Sequence, residues 1–210
     1  MSISHRIYPN VEMGEEAEIG EYCLVGCPPR GKKSGELVTK IGAGAVLRSH
    51  TVIYAGNTIG NHFQTGHHVM VREENEIGND VSIGTGSIVE HHVKIGNRVR
   101  IHSQVFVPEF SILEDGCWLG PNVVLTNALH PLCPRVKECL KGAIVRAGAK
   151  IGANTTLLPD IEIGAGALVG AGSVVVKDVP AGAVVAGNPA RLIKSVAELT
   201  CPYGLTERPY

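Results

Sequence analysis

From Ile41 to His130 the chain sets an aliphatic residue at every sixth position: Ile41, Leu47, Ile53, Ile59, Val71, Ile77, Ile83, Val89, Ile95, Ile101, Val107, Leu113, Leu119 and Leu125, with Thr65 as the one substitute. Four places after each comes a position that is usually small or β-branched, as at Ala45, Thr51, Val69, Val81, Ser87, Val93, Ser111, Cys117 and Val123. A period of six fits neither an amphipathic helix nor an alternating strand. It predicts a β-solenoid in which each hexad supplies one short strand and one corner, and three hexads close a triangular coil of about eighteen residues. The aliphatic side chain then points inward to fill the prism, and the small residue packs the corner, where space is least.

The same step runs through Ile7, Met13, Ile19 and Val25 at the start, and through Val145, Ile151, Leu157, Ile163, Val169, Val175 and Ala181 at the end. At the spacing of paired strands this makes about nine coils and a column roughly 40 Å tall. Two stretches break the register, and both are expected to leave the solenoid as loops. One is 27–40, rich in Pro and Gly; the other is 127–144. The solenoid is therefore expected over 1–187. In 188–210 Asn188 is placed to cap a short helix with Pro189 at its first position and Leu192, Ile193, Val196 and Leu199 on one face, followed by a tail.

Composition narrows the function. With 210 residues and a formal charge of −1, the chain offers no electrostatic case for nucleic acid or an anionic membrane as its partner. Its first ten residues lack the apolar stretch of a signal peptide, and no apolar segment has the length of a membrane span, so a cytoplasmic location is expected. Of six cysteines, Cys23 and Cys117 occupy the small position of their hexads and should be buried. Cys133, Cys139 and Cys201 with His130 match no usual zinc-ligand spacing, so no metal is expected.

Residues eighteen apart should stack in adjacent coils. One such column holds Glu73, His91, Glu109 and Asn127, and beside it runs another with Arg72 and Glu90. The columns read either as cross-strand ion pairs or as a polar wall that binds hydroxyls or amines, with Glu73 and Glu109 bracketing His91. The first loop carries Arg30, Lys32 and Lys33, which suit either a solvated surface or a phosphate contact. The second contains His130 followed by Pro131, whose ring restricts the backbone before it. A neutral imidazole there suits general-base chemistry near neutral pH.

The hexads resemble those of the left-handed parallel β-helix acyltransferases, and the resemblance supplies the hand of the coil, which spacing leaves open. The segment Leu125-Thr-Asn-Ala-Leu-His-Pro131 is similar to the catalytic His-Pro segment of sugar O-acetyltransferases. Thr126-Asn127 resembles the Thr-Asn-Asp segment of nucleotide-linked aminosugar N-acetyltransferases, with Ala128 in place of the Asp. Val169 to Pro180 and Val185 to Arg191 resemble the coenzyme A end of the family. The resemblance implies acetyl-CoA as donor, contacted by Gly152, Ala153, Gly170, Ala171, Lys177 and Arg191. It also implies His130 as base and a homotrimer, while the stacked column, read as a polar wall, would set Asn127, His91, Glu73 and Glu109 toward a sugar or nucleotide-sugar acceptor. The rival classes are a scaffold without activity and a carbonic anhydrase on the same coil, for which His62 and His67 have a suitable spacing but the third histidine is missing.

Overall fold

The computed structural model describes residues 5–210, and within them the hexads build three sheets with nine, eight and ten strands, parallel throughout except for the last strand of the third. Most strands are two residues long, and each pairs with the strands one coil below and one coil above. In sheet A, Val71 partners Ile53 and Val89; in sheet B, Ile77 partners Ile59 and Ile95; in sheet C, Ile83 partners Thr65 and Ile101. The expected left-handed parallel β-helix of hexapeptide repeats is the fold, and its sheets are the three sides of a prism.

From Ile41 to Val175 every inward position is filled, whereas Ile7 and Ala181 at the two ends are exposed. Leu47, Ile53, Ile83, Ile101, Leu113, Leu119, Leu125, Ile151, Leu157 and Ile163 are almost wholly buried, as are Cys23 and Cys117 among the small positions. Thr65, the substitute in the series, is tolerated because its hydroxyl meets that of Thr51 at 2.9 Å inside the prism. At Cys117, burial pushes the thiol up to about 12, so it behaves as an apolar residue.

Corners are turned by the fourth residue of the hexad, which lies in the left-handed region: His50, His62, His68, His92, Phe110 and Asp160 have φ between 55° and 64°. The second residue is often glycine for another reason. A Cβ on Gly78, Gly96 or Gly152 would strike the backbone of the coil above, so the coils stack too closely there for any side chain.

The chain departs from expectation after Gly187. Residues Ala190–Ser195 form a strand that pairs antiparallel with Ala183–Gly187, through a two-residue turn at Asn188 and Pro189, and only Val196–Glu198 is a short 3₁₀ turn capped by Ser195. Ala183–Gly187 is the last coil strand of sheet C, with an unpaired edge. Pairing that edge satisfies more backbone groups than a separate helix would. Leu192 and Ile193 consequently stand exposed, at 68% and 59%, where the helix would have buried them.

Removing an inward residue should leave a cavity that the stacked coils cannot close. Leu119→Ala is expected to cost about 2–5 kcal/mol in urea unfolding, while Ile193→Ser should change stability by no more than about 0.5 kcal/mol.

Candidate active site

Both excursions leave from one edge of the prism. The residues between Leu24–Cys27 and Thr39–Ile41, and those between Val124–Leu125 and Ile144–Val145, each join a strand of sheet A to one of sheet B. The coils close behind them: Val25 pairs with Ile53, and Leu125 with Leu157. At the root of the second loop the Lys141 amide donates to the Asn127 carbonyl at 3.0 Å, and the Lys141 ammonium meets Asp160 at 2.9 Å. The loop is thereby pinned at its base, while its tip carries Leu132 at 98% exposure.

The polar column lies on this same A–B edge. Glu73, His91, Glu109 and Asn127 each stand two places after an inward residue of sheet A, and the strand register stacks them. Past the loop the column continues through Pro159 to Lys177, two places after Leu157 and Val175. A residue predicted to meet the coenzyme thus shares an edge with four predicted to meet the acceptor.

Within the column the contacts are specific. Asn127 Nδ2 donates to Glu109 Oε2 at 2.7 Å, and Glu109 Oε1 lies 3.4 Å from His91 Nε2. His91 Nδ1 is buried with no hydrogen-bond partner among the described residues. The carboxylate on the other side of His91 is tied to a different partner. Glu73 accepts two hydrogen bonds from the neighbouring Arg72, at 2.8 and 2.9 Å, and the same guanidinium reaches Glu90 at 3.1 Å over the ring of Tyr54. Glu73 and Glu109 stand below and above His91 in the column as expected; among the described residues only Glu109 is within ion-pair distance of it, while the His91 charge adds to the lowering of the Glu73 carboxyl.

The two carboxylates on Arg72 differ in their surroundings. Burial raises the pKa of Glu90; Glu109 and Glu73 add to the rise, and Arg72 only partly offsets it. Glu73 is also pushed up by burial, but its hydrogen bonds to Arg72 and the charge beside it outweigh that and hold it below the usual carboxylate range.

His130 sits on the loop, exposed, and its carbonyl accepts from the Cys133 amide at 3.0 Å. Its imidazole has no hydrogen bond or ion pair among the described residues. In the first loop Lys32 is neutralised by Glu36 at 2.8 Å, which leaves Arg30 and Lys33 as cations without an ion pair among the described residues.

At the top of the column Lys177 and Arg191 line one cleft of about 310 Å³, with Val175, Pro180 and Ala190. The strand-to-strand turn after Gly187 brings Arg191 there. Gly152, Ala153, Gly170 and Ala171 lie elsewhere: they follow Lys150–Ile151 and Leu168–Val169 of sheet C and so occupy the edge between sheets C and A. Gly152 is required by the backbone of Ala171 above it and Gly170 by the Ala186 side chain, so the fold accounts for both glycines without a ligand. Lys177 is thereby separated from the four small residues by the width of sheet A, whereas Arg191, paired with Ala186 above Gly170, stands next to their edge.

The histidines proposed for a zinc site do not meet. His62 pairs with Asp80 at 3.0 Å on the B–C edge, and His67 Nδ1 faces Ser49 Oγ at 2.9 Å on the C–A edge. Among the described residues no group of three or more His, Cys, Asp or Glu is placed to hold a metal, and no helix is long and apolar enough to cross a membrane.

Residues 76–109 and 142–177 match the family model of the bacterial transferase hexapeptide, six repeats. Both matched segments lie within the three-sided coil. Among solved structures it is similar to a Bacillus cereus protein assigned as an acetyltransferase, at 22% identity and a TM-score of 0.53, over 86% of this chain and 84% of that one. It is also similar to the UDP-N-acetylglucosamine acyltransferases of Bacteroides fragilis (16% identity, TM-score 0.60, 92% and 73% covered) and Campylobacter jejuni (18%, 0.54, 90% and 75%). At these identities the likeness is one of fold. A search of curated proteins found no match.

Arg72 is the keystone of the half-buried charges on this edge. Arg72→Met leaves Glu73 and Glu90 unpaired and should cost about 1.5–3 kcal/mol at pH 7. Because Glu73 has a lowered pKa, its share of stability is present above the ordinary carboxylate range and is lost as pH falls through the lowered value. The difference between wild type and variant in urea unfolding should therefore shrink toward zero as the pH is taken through and below that range.

Proposed function

We propose that the protein transfers an acetyl or other short acyl group from coenzyme A to a hydroxyl or amine of a sugar or nucleotide-linked aminosugar. One observation carries the reading: the stack of Asn127, hydrogen-bonded to Glu109, and His91, 3.4 Å from the same carboxylate, shares a single edge with the inserted loop and with Lys177, which joins Arg191 in a cleft. The hexapeptide-transferase repeats support the same chemistry.

In this reading the acceptor lies along the column. Its oxygen or nitrogen gives its proton to the base and attacks the thioester carbonyl carbon; the carbon–sulfur bond breaks, and the protonated base returns that proton to the thiolate, which leaves as the thiol. His91 presents Nε2 to Glu109 at 3.4 Å and keeps Nδ1 buried, so the His91–Glu109 pair, with Asn127 holding the carboxylate, has no free nitrogen for the acceptor's proton and instead lines the acceptor's path. The base in this reading is His130, to which the resemblance assigns the role: it lies on the same edge, and its exposed imidazole, without a partner among the described residues, is free to take the proton. Glu73 and Arg72 then shape the wall below.

Lys177 and Arg191 suit the phosphates of the coenzyme. Gly152, Ala153, Gly170 and Ala171, on the C–A edge below Arg191, suit its extended arm, and that arm meets the acceptor column of the A–B edge only if a second copy supplies one of the two edges. Sheet A favours such an arrangement, since its outward row of Val52, Met70, Ile88, Phe106 and Val124 is apolar over five successive coils. Packing copies through this face would bring the C–A edge of one beside the A–B edge of the next, as a homotrimer with a site in each cleft requires.

Acetyl-CoA should raise the melting temperature of the wild type, and Lys177→Ala or Arg191→Ala should weaken its binding about ten- to a hundredfold at unchanged fold. Unaltered affinity in both variants sinks the coenzyme assignment.

The base is tested by comparing two variants on a hydroxyl acceptor. His130→Ala is expected to lower kcat by about 10² to 10⁴ with acetyl-CoA binding retained, whereas His91→Asn should raise the acceptor KM with a smaller loss of kcat. The opposite ranking would move the role to His91.

A further inference from the structure

The fourth position of each hexad turns the corner at positive φ, and its occupants are overwhelmingly polar or glycine, because the side chain projects into water. Asn10, Glu16, His50, His62, Glu74, Asp80, Arg98, Gln104, Asn122 and Asn154 all hold it. Phe110 does too, at φ 64°, and among the described residues it is the one such non-glycine side chain without a polar atom. It is 42% exposed. A bulky ring in the left-handed region is unfavourable relative to Asn or Gly, and burial does not compensate it here.

The surroundings of Phe110 say what the ring is for. Its lower neighbour on the A–B edge is His92, stacked at 5.8 Å between centroids and 25° between planes, and His91 meets it edge-on at 6.2 Å and 85°. Below His92 stands Glu74, 3.8 Å from its Nε2. The ladder stops above Phe110. The equivalent position of the next hexad, Ala128, belongs to the inserted loop and does not take the left-handed conformation. When the chain returns, Gly142 rests on the backbone of Phe110 and Ser111. The upper face of the ring thus lies at the root of the loop, beside Glu109 and Asn127, which form the hydrogen-bonding rim one residue away.

An aromatic face flanked by a carboxylate, an amide and an imidazole fits a pyranose ring, whose axial C–H face is apolar and whose rim is hydroxyl. We propose that Phe110, braced by His92, is the platform on which the pyranose of the acyl acceptor stacks, and that it selects ring sugars over acyclic polyols. The proposal deepens the acyltransferase reading and names its acceptor class; it rests on that reading for the word acceptor but not for the binding itself.

The chain has three phenylalanines, and Phe63 is fully buried, so protein labelled in its phenylalanine rings gives a simple carbon-13 NMR spectrum in which Phe110 is identified by its loss in Phe110→Asn. Asn is at ease at positive φ, so this variant should melt at or above the wild-type temperature. Titration with glucosamine, galactosamine and UDP-glucose should shift the Phe110 ring, while sorbitol and UDP should not. Phe110→Asn should bind the responding sugar about three- to tenfold more weakly, with acetyl-CoA affinity and trimer mass unchanged.

A Phe110 ring that stays silent to every pyranose, or that answers sorbitol equally, overturns the platform. A shift with UDP alone overturns it in favour of a stacked nucleobase, and a change of oligomeric mass in the variant overturns it in favour of a subunit contact. The acyltransferase reading fails separately. A pyranose response in a protein that acetyl-CoA does not stabilise keeps the platform and removes the acyl transfer, and the converse result does the reverse.

Discussion

Everything in this molecule depends on the hydrogen bond from each coil to its neighbour. The Glu76 amide donates to the Val93 carbonyl and the Lys94 amide to that of Ser111, in a progression repeated on all three sides from the first coil to the last. Because parallel strands two residues long give little cohesion individually, stability comes from neighbours in series, and each inward aliphatic residue packs mainly on those directly above and below it. The register of eighteen cannot slip by one residue without turning inward side chains out. It tolerates insertions only where the chain can leave and re-enter at one corner.

That constraint explains where chemistry is placed. The sides of the prism are committed to backbone pairing and the interior to packing, so only corners and insertions are free to carry polar function. The A–B edge takes both insertions as well as the stacked carboxylates, imidazole and amide. The B–C edge is spent on a ladder in which Asn61, Asn79, Asn97 and Asp115 each accept the backbone amide of the coil below. One edge stabilises and another is available for binding.

The repeat was legible because inward positions such as Leu119 and Ile151 have no alternative, and the columns were legible because eighteen-residue stacking follows from the repeat. What escaped was local. Glu73 turns to Arg72 beside it, which reading by columns cannot see. The apolar spacing of Leu192, Ile193, Val196 and Leu199 fits a helix, but the free edge of Ala183–Gly187, which decides for a strand, exists only in three dimensions. Gly152 and Gly170 looked like room for a ligand, and the coil above already fills that room. Phe110 had a signal in the sequence, an apolar residue in a polar position, that stands out only once the role of the fourth place is known.

The column on the A–B edge is also a ruler with fixed graduations. Asn127 and Lys177 are separated by two rungs, and each rung is the distance between paired strands, about 4.8 Å. In the proposed reading, the gap between the acceptor column and Lys177, assigned to the coenzyme, can therefore change only by whole coils, never by small drift. A lineage that adopted a longer donor would have to gain eighteen residues at once or bend the donor, whereas the acceptor end, set by a loop pinned at Lys141, is free to vary one residue at a time.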